Sequence, residues 1–287
     1  ICEDNGLAVH SFRHVRQAYR LPEHAATFGI ESRRVEEGWD ALAVRQATLD
    51  ALDRACARRD AAAFIVEPLI LGAGGMLIYS AKVLVQMRAI CESHGVLFIA
   101  DEVMTAWGRT GTLLACAQAG IVPDLLCLSK GLTGGSLPLA VTMATSAIFE
   151  AHYSADRALQ FFHSSSYTAN AIACAAANAN LAVWREEPVM ERISELTSRQ
   201  AAGLERLSAH PAIINPRQLG TIIAMDVKAK EEGYLSELGP RLKAAFTSID
   251  ILLRPLGNTV YVMPPYCIKE RDLAQIHDAI IAVVDEL

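Results

Sequence analysis

The chain has 287 residues, 52% of them hydrophobic and 20% charged, with a formal net charge of −6. That length buries a substantial core, as one large domain or as a large and a small one. The acidic balance leaves nothing to neutralise a run of phosphates, which argues against nucleic acid, and no apolar run approaches the roughly 20 residues of a membrane-spanning helix.

Residues 1–30 show no clear period and stay unassigned. Their opening, ICEDNGLAVHSFRHVRQAY, has an early acidic pair and lacks the apolar core of a signal peptide. From about residue 60 one theme repeats: a short apolar run, a polar residue at its end, then a helical segment. The runs AAAFIVEP (61–68), GVLFIADE (95–102), DLLCLSK (124–130) and LPLAVTMAT (137–145) have the length and texture of fully buried strands. Between the first two, YSAKVLVQMRAICESHG (79–95) carries apolar residues at helical spacing, and Gly95 is a stop signal. Strands alternating with helices predict an α/β domain with a mainly parallel sheet. Ligands bind such sheets at the carboxyl ends of the strands, the edge where Glu67, Asp101 and Lys130 would gather.

Residues 168–209 read as helix, first an Ala-rich stretch and then a charged amphipathic one. After about residue 212, LGTIIAMDV (219–227), IDILLRP (249–255) and NTVYVMPP (258–265) read as short strands, and residues 270–287 as a closing amphipathic helix. The expected division is an unassigned segment at 1–30, a large domain at 31–209 and a small α+β domain at 210–287.

The 7 cysteines are scattered, with no C-x-x-C pair, and the 8 histidines show no metal-ligand spacing. Both patterns favour reduced thiols in a cytosol-like compartment over a metal site or disulfide framework.

Three positions carry candidate chemistry. A carboxylate at a buried strand end is costly unless something cationic or protonated faces it. Asp101 therefore either caps a following helix or holds a ring nitrogen protonated, as pyridoxal 5'-phosphate (PLP) requires. Lys130, in LLCLSKGLTGG, is either a solvated lysine or a desolvated amine able to form a Schiff base. The segment FFHSSSYTAN (161–170) sets three serines before a long helix, as a simple N-cap or as an anion site. GAGG (72–75) reads as a tight turn. Arg254 is a surface ion-pair residue or a carboxylate binder, Tyr261 a core aromatic with its hydroxyl satisfied, and Arg109 a structural ion-pair residue.

Taken together, VEP (66–68), FIADEVMTAWGRTG (98–111), PDLLCLSKGLTGG (123–135) and NAIACAAANANL (170–181) resemble the class III aminotransferases, PLP enzymes of fold type I. The resemblance runs from about Ala61 to the C-terminus. GAGGM, CLSKGLTGG, ILLRPLG and VYVMPPY are most similar to the subgroup that moves an amino group from S-adenosylmethionine to 8-amino-7-oxononanoate in biotin biosynthesis. The resemblance implies that Lys130 forms the Schiff base and shuttles the proton, Asp101 pairs with the pyridinium nitrogen, Val103 packs on the ring and Glu67 supports them. It implies that Ser165 and Ser166 meet the cofactor phosphate of a neighbouring subunit, with the backbone of Ser164 near substrate. Arg254 takes the substrate carboxylate and Tyr261 lines the same pocket. A cytoplasmic homodimer is implied too.

Two departures accompany it. The family's His-Gly-Pro-Thr phosphate loop here reads His163-Ser164-Ser165-Ser166. Residues 1–30 do not resemble the family's N-terminal region, with its phosphate cradle and stacking aromatic, so the expectation is the C-terminal two-thirds of such a subunit. Another class III ω-aminotransferase, or an inactive remnant that dimerises, are the alternatives.

Overall fold

The structure, a computed structural model, describes residues 42–163, 165–230, 233 and 236–287. The readings made for residues 1–30 and for Ser164 lie outside these. Helix α1 (Leu42–Ala57) leads into β1 (Ala63–Val66), followed by a two-stranded hairpin of β2 (Ile70–Leu71) and β3 (Leu77–Ile78). GAGG forms the tight turn of that hairpin: the N–H groups of Gly75 and Met76 both donate to the carbonyl of Gly72, each at 3.1 Å.

Helix α2 (Ala81–His94) buries Val83, Leu84, Met87 and Cys91, one stripe at helical spacing. It ends where expected, at Gly95 with φ +69°, whose N–H reaches the carbonyls of Cys91 and Glu92. Strand β4 (Leu97–Asp101) follows, then the four-residue helix α3 (Cys116–Ala119), β5 (Leu125–Leu128), a 3₁₀ turn at Lys130–Thr133, and β6 (Val141–Ala144).

Strands β1, β4, β5 and β6 form one sheet in that order. The first three run parallel, so their carboxyl ends share an edge; β6 is antiparallel to β5, with Cys127 opposite Thr142. Phe98 and Ala100 of β4 are fully buried against α2, in a core with Leu84 and Cys91. At the other end of the strands Asp124 pairs with Arg88 at 2.9 Å and accepts the N–H of Phe98 at 2.7 Å, which locks the β4–β5 register.

Helices α4 (Ser146–His152) and α5 (Ala171–Glu186) follow, and α6 (Val189–Ser208) is set off by Pro188. An antiparallel sheet of β7 (Ile213–Leu219), β8 (Ile222–Val227) and β9 (Thr259–Val262) closes the chain, with α7 (Leu238–Ser248) and α8 (Glu270–Asp285). Leu196 and Leu207 of α6 pack in the same core as Met225, Val260, Phe246 and Ile280, so α6 belongs with this sheet.

One expected strand is absent and one unexpected strand replaces it. Residues 251–255 are irregular: Leu253 is buried in the core and Leu252 is exposed, and the run is not part of the β7-β8-β9 sheet. Ile213–Leu219 forms β7 despite Asn215 and Pro216, because a bulge between Ile214 and Arg217 absorbs them, with Asn215 at φ +52°.

The two sheets meet at the edge that carries the candidate residues. Ile70, Met76 and Met104 share a buried cluster with Ile222, Ala224 and Leu256. Gly220, at φ +54°, lies against the backbone of Thr110 and Gly111, where a Cβ would come within 2.4 Å. Only glycine permits both that conformation and that approach.

Candidate active site

Register sets the first relationship. Val66 pairs with Ala100 and Asp101 with Cys127, so continuing the pairing brings Glu67 beside Asp101. Lys130 begins the 3₁₀ turn two residues past the end of β5. The structure thus brings Glu67, Asp101, Val103 and Lys130 to one edge.

Asp101 is half-buried, and its Oδ1 accepts the N–H of Val103 at 3.2 Å. The residues that follow form turns rather than a helix, so the carboxylate makes a local turn contact and caps no helix. Among the described residues no Lys or Arg forms an ion pair with it. Lys130 is exposed and stands at φ +43°, a left-handed conformation uncommon for a residue with a side chain.

Glu67 senses both. Its Oε2 accepts the N–H of Gly72 at 2.9 Å and its carbonyl accepts the Tyr79 hydroxyl at 2.6 Å. Burial pushes its carboxyl up to about 7; the Gly72 N–H opposes that, the Asp101 charge adds to it and the Lys130 charge opposes it. Among the described residues, the edge therefore carries a carboxylate without an ion-pair partner, a second carboxyl titrating near neutrality and a lysine amine without an ion-pair partner.

The remaining candidates stand elsewhere. Ser165 and Ser166 are exposed in the loop before α5, whose N-terminus is capped by Asn170: its Oδ1 accepts from Ile172 at 3.1 Å and Ala173 at 3.0 Å. No serine serves as the cap. Arg254 is exposed in the irregular segment after α7. Tyr261, on β9, packs against the cluster holding Met104 and Met76. Neither the serines nor Arg254 bonds to the strand-end residues. Arg109 makes no ion pair among the described residues; it donates to the carbonyl of Pro264 at 2.5 Å and lies 4.5 Å from the Tyr266 ring centroid.

Two contributors escaped the sequence reading. Glu102 is fully buried, and its carboxylate accepts the N–H groups of Ala115 (2.7 Å) and Cys116 (2.8 Å) and the Thr105 hydroxyl (3.2 Å). It closes the loop that leaves Asp101. Asn180 donates from Nδ2 to the carbonyls of Gly131 (2.8 Å) and Leu132 (3.2 Å). It continues the stripe of buried Ala173 and Ala177 on α5, and a lone polar residue on an alanine face was the available signal.

The donor set fits PLP. A carboxylate with no cationic partner suits a protonated ring nitrogen, and an amine at the adjacent strand end suits its carbonyl carbon.

Comparison with known proteins agrees with this chemistry. The Aminotransferase class-III family model matches residues 9–284, reaching further toward the N-terminus than the motifs read from Ala61. The adenosylmethionine-8-amino-7-oxononanoate aminotransferase of Synechococcus elongatus is 41% identical over 276 residues, 95% of this chain and 65% of that protein. That of Anoxybacillus flavithermus is 32% identical over 291 residues, covering 97% of this chain and 64% of that protein. The chain thus spans a little under two-thirds of these relatives' length. Among solved structures, the enzyme of the same name from Methanocaldococcus jannaschii superposes with a TM-score of 0.79 at 26% identity, over 92% of this chain and 63% of that one. Plasmodium falciparum ornithine delta-aminotransferase gives 0.71 at 27% identity, over 83% and 58%.

Proposed function

The chain belongs to the class III aminotransferases, and on that premise we propose that it takes part in transamination from S-adenosylmethionine to 8-amino-7-oxononanoate. The product is 7,8-diaminononanoate, on the route to biotin. The observation that carries the reading is Asp101 and Lys130 at the carboxyl ends of adjacent parallel strands, with Glu67 beside them.

PLP, when bound, supplies the electron sink that lets a proton leave the carbon bearing the amino group. Lys130 would hold it through Nζ, and the same amine would serve as the group that accepts and returns that proton. Asp101 would keep the ring nitrogen protonated, its Oδ1 steadied by the Val103 N–H. Val103 would pack on the ring. Glu67, titrating near 7, would adjust the charge at the edge.

Arg254 is the candidate for the substrate carboxylate, Tyr261 for the pocket wall and the Ser164 backbone for a further substrate contact. Ser165 and Ser166 are the candidates for the cofactor phosphate of a second copy. They lie past Asn170, ten residues or about 15 Å along α5 from Asn180, which suits service to a neighbouring site. The exposed aromatic surface around Phe149, Tyr153, Phe161, Phe162 and Tyr167 supports a homodimer. A cytoplasmic location belongs to the same reading; among the described residues no helix is long and apolar enough to cross a membrane. In this reading the large unit extends to about residue 209 and the small one begins at 210, with α6 packed on the latter.

The test is to add PLP to the purified chain, reduce with borohydride and map the modified residue by mass spectrometry. Modification at Lys130, with amino transfer from S-adenosylmethionine but not from ornithine or β-alanine, is the expected result. Transfer from ornithine instead would point to the ornithine aminotransferases. A folded sample with no modified lysine would overturn the enzyme reading for this chain.

A further inference from the structure

Lys130 does not hold its backbone conformation by local preference. A non-glycine residue at φ +43° is strained and persists only where its surroundings over-determine it. Three short-range bonds shape the turn: Leu132 N–H to the Ser129 carbonyl, Gly134 N–H to Gly131, and Gly135 N–H to Lys130 itself. Such bonds recur in ordinary 3₁₀ turns, which do not need a left-handed first residue.

The over-determination comes from two elements distant in sequence. Asn180, on α5, donates its side-chain amide to two successive carbonyls of the turn, Gly131 and Leu132. Its Oδ1 also stands 3.1 Å from where a Cβ on Gly134 would be. Trp107 presses on the other constituent: its ring lies 2.7 Å from where a Gly131 Cβ would be, so the indole occupies the side-chain space of the residue after Lys130. The Trp107 backbone is itself fixed, since its main-chain N–H donates to the Leu113 carbonyl at 2.7 Å and its carbonyl accepts the Tyr266 hydroxyl at 2.5 Å.

We propose that Asn180, together with Trp107, is the positioning residue that holds Lys130 in its left-handed conformation at the carboxyl edge beside Asp101 and Glu67. Because Asn180 lies on the helix that the serine loop leads into, it ties the turn bearing the amine to the same rigid element. Its importance for the cofactor rests on the transaminase reading; the clamp on the turn does not.

Hydrogen exchange read by mass spectrometry on the full chain tests it. Asn180→Asp keeps the side-chain shape and removes both donors, Asn180→Leu removes polarity, and Asn180→Gln keeps a donor. Asp and Leu variants should exchange the amides of Leu132, Gly134 and Gly135 roughly tenfold faster, the scale of one or two lost hydrogen bonds. Peptides from β4 and α2 should be unchanged, and the Gln variant should stay within about threefold of the native chain. Native exchange in the Asp variant would show that Asn180 merely fills space and would overturn the proposal, as would a uniform rise in both the Asp and Gln variants. In the cofactor arm, limiting PLP and borohydride should modify Lys130 about tenfold less in the Asp variant than in the native chain. A native chain that takes up no PLP defeats the transaminase reading while the exchange data still judge the clamp. A variant that loses protection yet is modified like the native chain defeats the role assigned to Asn180.

Discussion

Arg217 and Asp226 meet through two N–H···O bonds, 2.9 Å from Nη2 and 3.2 Å from Nη1. The same guanidinium donates to the carbonyls of Gly75 (2.7 Å) and Met76 (3.0 Å). The GAGGM turn is thereby fastened to the C-terminal sheet, and the Gly72 N–H of that turn holds Glu67. One ion pair links the second sheet to the carboxyl edge of the first.

That linkage sets a first expectation. Arg217→Met leaves a largely buried Asp226 without its cation and frees three carbonyls, those of Gly75, Met76 and Asn215, which should cost about 3 kcal/mol in a urea titration. Arg217→Lys should recover less than half, because an ammonium cannot serve all of these acceptors as a planar fork does. A loss below about 1 kcal/mol, the worth of an exposed pair, would show that the joint does not depend on this residue.

The raised Glu67 carboxyl gives stability a pH slope. Its folded value of about 7 exceeds the ordinary 4.5, so the folded state binds the proton more tightly. The stabilisation is complete below the unfolded value and is lost as pH rises toward 7. Glu67→Gln stays neutral and can still accept from Gly72. In the chain without cofactor it should be more stable than native at pH 8, by ~1–3 kcal/mol, and equal to it near pH 4. An equal deficit at both pH values would contradict the assignment.

His277 slopes the other way. It is buried, its Nε2 lies 3.0 Å from Gln200 Oε1, and burial lowers its value from 6.5 to about 4. The unfolded chain takes up this proton first as pH falls, so stability is lost from 6.5 down to about 4. The total is on the order of 3 kcal/mol. Between roughly pH 4.5 and 6.5 the two slopes oppose each other. His277→Gln should remove the acid slope and expose that of Glu67, readable as Tm against pH; an unaltered acid limb would exclude His277 as its source.

Glu102 offers a test of the loop that leaves Asp101. Glu102→Ala leaves the N–H groups of Ala115 and Cys116 without their acceptor in a closed interior, which should cost about 3 kcal/mol. Glu102→Gln keeps one acceptor oxygen and should lose about half of that. Proteolysis between residues 105 and 115 should accelerate in the Ala variant; native resistance would mean that other contacts close the loop.

Much of the first sheet was legible because its strands are short, continuous apolar runs, although burial is uneven: Phe98 and Ala100 are buried, while Ile65, Leu97 and the whole of β6 are exposed rather than buried as the texture suggested. Each ends on a polar residue for which the interior has no place, which marked Glu67, Asp101 and Lys130. The second sheet was less so. Pro216 and Asn215 hid β7, whose bulge tolerates them, while the apolar ILL at 251–253 imitated a strand but packs Ile251 and Leu253 into the core as irregular chain. Asn180 and Glu102 stayed hidden because a hydrogen bond to a distant carbonyl or amide leaves no period in a sequence.

By itself, then, the sequence determined the order of strands and helices, the residue types at each strand end and the family motifs, all set by local polarity and spacing. Only the tertiary structure decided which strand ends lie side by side, that β6 turns antiparallel, that Glu67 is pushed toward neutrality, and that Lys130 is held left-handed. Those outcomes depend on burial and on contacts between residues far apart in the chain, and they arise only when the elements pack.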